Sequence, residues 1–401
     1  GSLLRDQVIV VTGKHITSVS PANSATLPAH AEVVDLSNAV CLPGLIDMHT
    51  HLVGDASVYD SAEPLKKSAA QMAFQSIRNA RATLIAGFTS VRDLGTYRAF
   101  VDVALRDAIE QGIVPGPRLQ PAGAYVTILG GAGDLTGFAA DIELPRELRF
   151  GVATGPDQVR ERVREIIRHG VGVIKVLATG AVLTPGSQPA AQEFTYEELR
   201  AAGEEATHAG LKVAAHAHSA AGAKDAIRAG VASIKHGSFL DDEALQMMKD
   251  AGTFLVPDMY DHEVIMQSKA RGYLDEFLEK EEIAGEAQKK VFRRALELGV
   301  RIAFGTDAGV IPHGDNGRQF ATYVANGMTP LQALRSATTE AAELLGWQDR
   351  LGTLEPGKLA DIIAVHENPL QQINTLERVV FVMKDGRVYK NNLEKPAEGL
   401  K

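Results

Sequence analysis

Between residues 45 and 307 the chain alternates eight short apolar segments with stretches of helical character, and no other feature narrows the fold as far. The segments are 45–49, 89–94, 118–122, 173–179, 212–218, 233–237, 253–259 and 301–307. Several are rich in Val and Ile, and several follow a glycine, as in "HAGLKVAAHAH" and "LELGVRIAFGTD". Glycine just before a strand fits a helix C-cap followed by a short connection. The stretches between them carry start signals. "TYEELRAAGEEATHAG" opens on Thr195 with Glu198 three residues on, a capping box. "TPLQALRSATTEAAELLGW" places Thr329 at the cap and Pro330 in the first helical position. Alternating strands and helices imply a parallel sheet. Eight such units in about 300 residues predict an α/β fold, a closed (β/α)8 TIM barrel over residues 44–353. An open doubly wound sheet is the competing architecture. The Gly-rich "GAYVTILGGAGDLTG" (123–137) after the third segment reads as a loop over the barrel mouth.

The two ends read differently. Residues 7–12, 16–19, 32–36, 360–366 and 379–390 have the character of short β-segments, the last with Asp385-Gly386 as a hairpin turn. They predict one small β-sandwich assembled from residues 1–43 and 354–401, with "LEPGK" (354–358) as the return crossing. A chain of 401 residues can bury the cores of one large domain and one small one.

Polar residues fall at the strand ends, where barrel enzymes keep their chemistry. Segment 45–49 runs into His49 and His51, "GVIKVLATG" carries Lys175, "AAHAHS" carries His216 and His218, "SIKHGS" carries His236, and "AFGTDAG" ends on Asp307. Each has an ordinary alternative. Lys175 could snorkel at a strand end, His236 could be a satisfied core histidine, and Asp307 could cap the next helix. All of them in order, on one edge of one barrel, is a different matter. Imidazole and carboxylate suit Zn2+ and similar divalent ions. A buried lysine is the odd member. Desolvation and nearby metal charge both lower its pKa, and the neutral amine can take up CO2 as an anionic carbamate able to bridge two ions.

With "LPGLIDMHTHL" and "GTLEPGKLADIIAV" at its flanks, this set resembles the amidohydrolase superfamily over nearly the whole chain. The resemblance implies two divalent metal ions, taken as Zn2+, and a carboxylated Lys175. It assigns His49, His51 and Asp307 to the more buried metal, His216 and His236 to the exposed one, and Lys175 to the bridge. Asp307 is then also the catalytic proton carrier, taking a proton from the attacking water and passing it to the leaving group. One departure is at the N-terminus, where the family has a further strand or two before "QVIVVTGKHITSV".

"GTDAGVIPHGDNGRQF" (305–320) resembles the branch containing Xaa-Pro dipeptidases, metal carboxypeptidases and ochratoxin hydrolases, which cleave an amide next to a free carboxylate. The implied substrate is a small molecule: a dipeptide, an N-acyl amino acid or an ochratoxin-type aryl amide. No acidic cluster in this stretch suggests a basic leaving group, so an apolar or aromatic amino acid is expected. "GGAGD" (130–134) departs from the branch, with Ala132 where Gly-Gly-His-Gly-Asp is common. Tyr260 and His262 in "VPDMYDHEV", with His313 and Arg318, are the candidate substrate-binding residues. Two other functions stay open at this point: a cyclic amide, imidazolone or lactone hydrolase of the same fold, and a metal-free scaffold protein. Lys175 counts against an imidazolone hydrolase, and the complete ligand set counts against a scaffold.

The remaining bulk features set outer bounds. With 41 basic and 50 acidic residues the net charge is −9, which argues against a nucleic-acid partner. No apolar run reaches about 18 residues, so no membrane span is expected. Cys41 is the lone cysteine and fits a reducing compartment. The opening Gly-Ser reads as a cloning scar, leaving a cytoplasmic or, with a leader removed, a periplasmic or secreted home open. The branch resemblance implies a homo-oligomer, from a dimer up to an octamer.

Overall fold

The computed structural model describes residues 3–54, 60, 62–139 and 141–393. In chain order its strands are β1 (Gln7–Thr12), β2 (His15–Pro21), β3 (Val40–Pro43), β4 (Leu45–Thr50), β5 (Phe88–Asp93), β6 (Arg118–Pro121) and β7 (Tyr125–Val126). They continue with β8 (Val173–Leu177), β9 (Lys212–Ser219), β10 (Ser233–Phe239), β11 (Phe254–Val256), β12 (Ile362–Val365), β13 (Phe381–Lys384) and β14 (Arg387–Asn391). The alternation read from the sequence becomes two parallel sheets, β4-β5-β6 and β7-β8-β9-β10-β11.

The arrangement is barrel-like without being one closed sheet. The third predicted strand is broken in two, so that β6 pairs with β5 while β7 pairs with β8. The eighth, 301–307, forms no ladder. It is tied by isolated parallel bridges, Leu255 to Ile302 on one side and Thr50 to Ala308 on the other. Strand 7 shrinks to three residues. Inside the ring, Leu94, Ala122, Val173 and Ala214 make a small apolar layer.

The predicted caps form. Thr195 Oγ1 accepts from Glu198 N at 3.3 Å while Thr195 N donates to Glu198 Oε2 at 2.9 Å. The single helix expected after Thr329 is instead two, Pro330–Ser336 and Thr339–Leu345. Between them Ala337 gives its carbonyl to Ile46 N of β4 at 2.8 Å, which diverts it from a helical bond. The second helix ends under the barrel. Its last carbonyls accept from Arg92 Nη2 (3.0 Å to Leu344 O), Gln120 Nε2 (3.3 Å to Leu345 O) and Lys212 Nζ (2.9 Å to Glu343 O). Cationic groups at a helix C-terminus oppose its negative dipole end.

The two chain ends come together. β3 joins β12, β13 and β14 in one antiparallel sheet, β1 and β2 form a separate hairpin, and Ile9, Val11, Val34, Leu36 and Cys41 pack on Ile362, Ala364 and Phe381. Among the described residues no helix is long and apolar enough to cross a membrane.

Candidate metal centre

Strand pleat decides which side chains enter the ring. Lys175 stands opposite Ala214, and His216 opposite Leu177 and Lys235. Paired residues on neighbouring strands share a face. His216 is therefore one step nearer the mouth than Lys175. By the same parity His236, next to Lys235, would face the helices. It does not, because its backbone is left-handed (φ 65°) and the β9–β10 register breaks after it. Asp307 is also left-handed, at φ 53°. Non-glycine residues held at positive φ cost on the order of 1–3 kcal/mol each and cluster at functional sites.

The result is a floor of donors beneath a cavity of about 330 Å³. His49 Nε2 and His51 Nε2 lie 3.4 and 3.2 Å from Asp307 Oδ1. His216, His218 and His236 form a second group, and in each group the donor atoms lie within 4.8 Å of one another. The groups adjoin, with His49 and His236 rings 5.3 Å apart. Lys175 is buried on the same floor, and no hydrogen bond or ion pair engages its amine among the described residues.

Every imidazole has one nitrogen occupied from outside. His49 Nδ1 is 2.9 Å from Asp258 Oδ2, His51 Nδ1 is 2.9 Å from Gly95 O, and His216 Nε2 is 3.0 Å from Gly180 O. His218 Nδ1 is 3.0 Å from Ser238 Oγ, and His236 Nδ1 is 3.3 Å from Asp258 Oδ2. That leaves one nitrogen per ring facing inward, which is how outer hydrogen bonds orient metal-binding histidines. Asp307 Oδ1 is a buried oxygen without a well-formed hydrogen bond, faced only at 3.2 and 3.4 Å by the inward nitrogens of His51 and His49. A cation fits this arrangement better than water-filled space would.

Burial sets the protonation. It drives His49, His216 and His236 well below the ordinary histidine range and His218 to about 3. These rings are neutral and free to donate lone pairs. Burial also pulls His51 down, but Asp307 and Asp93 outweigh it and hold that ring above its usual value. Lys175 falls to about 8 through burial, despite the opposing pull of Asp307 and Asp258.

The six ligand candidates named from the sequence thus come together. The four substrate-binding candidates lie apart from them, outside the cavity lining. Tyr260 packs on Val264, Ala308 and Ile311, and His262 Nδ1 is 3.0 Å from Glu281 Oε1. His313 Nε2 is 3.0 Å from Gly54 O, and the half-exposed Arg318 lies against Asp315. None of the four lines the cavity. The helix Asp261–Met266 turns Asp261 and Ile265 toward the cavity and His262 away from it, toward Glu281.

Sequence reasoning passed over Asp258. It lies in "VPDMY" just past β11, between the strand 6 and strand 8 ligands, and that position was the available signal. One buried carboxylate oxygen serves a histidine from each donor group. Asp47 was also missed. It braces the first and last barrel segments by accepting from His49 N (3.0 Å), Thr306 Oγ1 (2.6 Å) and Asn316 Nδ2 (2.8 Å).

Comparison with known proteins gives the family. The sequence profile of the amidohydrolase family matches residues 40–389. An ochratoxinase from Aspergillus niger is 33% identical over a 411-residue alignment that covers 97% of this chain and 84% of that one. A Xaa-Pro dipeptidase, crystallised with methionine in its active site, superposes with a TM-score of 0.89 at 38% identity, covering 96% of this chain and 94% of the other. A prolidase complexed with N-methylphosphonate-L-proline superposes with a TM-score of 0.87 at 31% identity, covering 96% and 95%. The chain therefore belongs to the amidohydrolase family, whose members of this kind hydrolyse amide bonds.

Proposed function

We propose that the chain is a metal-dependent hydrolase that releases an apolar or aromatic α-amino acid from a dipeptide, an N-acyl amino acid or an ochratoxin-type aryl amide. The observation that carries this reading is the meeting of two donor groups around one buried, unpartnered lysine on a cavity floor. His49, His51 and Asp307 would hold the buried ion, His216 and His236 the exposed one, and Lys175, as its carbamate, would serve both. The neutral imidazoles suit Zn2+. Two such ions, when bound, supply Lewis acidity and a water acidic enough to attack near neutral pH.

The chain's own residues do the rest. Lys175 reacts with CO2 only as the neutral amine, and burial makes that form accessible. Asp307, beside the site of the attacking water, would take its proton and return it to the leaving amine. Met72, Leu135, Val182, Leu183, Ile265 and Val310 line the cavity and exclude water from an apolar group. Burying such a group is worth about 1.5–3 kcal/mol. The Thr136 hydroxyl, buried without a partner in the same lining, is a neutral donor for the substrate carboxylate. Asp261 and Glu281 also line the wall, so acidic groups are present although residues 305–320 did not show them. The similarity to an ochratoxinase and to Xaa-Pro dipeptidases supports the substrate class. On the same reading residues 44–353 are the catalytic barrel and residues 1–43 and 354–401 a β-sandwich, of which 1–2, 55–59, 61, 140 and 394–401 lie outside the described residues, and the protein assembles at least as a dimer, which light scattering at micromolar concentration tests.

A panel of dipeptides, N-acyl amino acids and aryl amides, read by amino-acid release, tests the function. Release of apolar or aromatic amino acids is expected. Activity confined to lactones or cyclic amides, or to C-terminal Lys or Arg, would overturn the substrate assignment. A protein that purifies without tightly bound metal and is indifferent to chelators would be a scaffold instead.

A further inference from the structure

Strand β9 carries two histidines on its inner face, and the ligand set above uses only one. His216 and His218 are two residues apart, so both point into the ring, with His218 one pleat nearer the mouth. We infer that His218 is a third imidazole for the exposed metal, which is then held by His216, His218 and His236 together. The inference rests on the metal-dependent reading above.

Three observations carry it. The donor atoms of the three residues lie within 4.8 Å of one another, and the ring centroids are 4.7, 4.5 and 4.8 Å apart pairwise. All three rings have one nitrogen engaged on the outside, which leaves His216 Nδ1, His218 Nε2 and His236 Nε2 for one ion. The outside partner of His218 is Ser238, a buried hydroxyl on β10 just past His236 and Gly237. The break in register that turns His236 inward therefore also places the group that orients His218. The same stretch of β10 sets two of the three rings. The two ions would differ in character, the buried one holding a carboxylate and the exposed one three imidazoles. Three nitrogen donors favour the later first-row metals.

The test uses the full-length protein, stripped of metal and dialysed against graded Zn2+, with bound zinc measured by elemental mass spectrometry. Wild type should take two ions per chain. His218→Ala should keep the first at wild-type affinity and need more zinc for the second than loss of an outer partner alone, which costs about 10–100-fold. Ser238→Ala keeps the imidazole and loses only its hydrogen bond, so it should weaken the same site about tenfold and guard against misfolding of the first variant. With Co2+ in place of Zn2+, the visible spectrum of the second equivalent should change in His218→Ala while that of the first does not. A His218→Ala protein that takes up the second ion with wild-type affinity and cobalt spectrum overturns the inference, even if its turnover falls. Wild type that binds two ions alongside such a variant leaves the metal reading standing. Wild type that binds none refutes both.

Discussion

Replacing Asp258 by Ala should weaken both halves of the metal centre at once. Its Oδ2 lies 2.9 Å from His49 Nδ1 and 3.3 Å from His236 Nδ1, so one oxygen orients a ligand in each group. Losing an outer partner of a metal-binding histidine costs about 10–100-fold in affinity, or about 1.4–2.7 kcal/mol. With both ions affected, the stability added by metal should shrink by about 3–5 kcal/mol at fixed free zinc. The metal-free chain should change less. Burial holds the Asp258 carboxyl well above the usual carboxylate range, so removing it relieves a desolvation cost that offsets the lost hydrogen bond to His49 and the lost contact to His236. The assay is calorimetric unfolding of wild type and Asp258→Ala, each zinc-saturated and each stripped. A narrowed gap between the two states is the expected result. Equal destabilisation of both states would make Asp258 a core residue with no special tie to the metals. A shift confined to one ion would refute the shared clamp.

The remaining expectations are smaller. Both oxygens of Glu193 accept from Ala132 N, at 2.9 and 3.0 Å, and burial raises its pKa from 4.5 to about 7. A raised carboxyl pKa means that ionisation costs stability as pH climbs from about 4.5 to 7, so Glu193→Gln should raise Tm relative to wild type at pH 8 and not at pH 4.5; equal changes at both would contradict this. Tyr260→Phe and Arg318→Ala, both outside the cavity, should leave kcat/KM within about twofold, and a tenfold loss in steady-state assays would bring them back to the substrate. Thr195→Ala removes the cap of the helix Tyr196–His208 and should cost about 1 kcal/mol in urea unfolding without altering kcat.

What the sequence revealed was local or periodic. Caps at Thr195 and Thr329 depend on residues three apart, and they formed. The order of His49, His51, Lys175, His216, His236 and Asp307 followed from placing each on a strand end. What it concealed depended on tertiary contact. Nothing near Ala337 foretells that β4 takes its carbonyl and splits a helix. The irregular path of 301–307 follows from isolated bridges to two neighbours in place of a ladder. Period-two alternation would have turned His236 outward, and only its positive φ brings it in. The double role of Asp258 spans 209 residues of sequence to His49, so spacing could not show it. Tyr260, His262, His313 and Arg318 had suitable chemistry, but the turn into the helix Asp261–Met266 and the contacts to Gly54 and Asp315 took them off the wall.

The claim on which all this turns is that Lys175 joins the two donor groups. As carbamate it offers two oxygens, one per ion, where the amine offers at most one nitrogen. The deciding measurement is metal stoichiometry with kcat for Lys175→Ala and Lys175→Arg. Both variants should lose bound metal and turnover together, and Arg should not rescue, because a guanidinium stays protonated and cannot form the carbamate. A small acid or bicarbonate should restore part of the activity of Lys175→Ala by filling the gap. Two ions per chain and near-normal turnover in either variant would contradict the account.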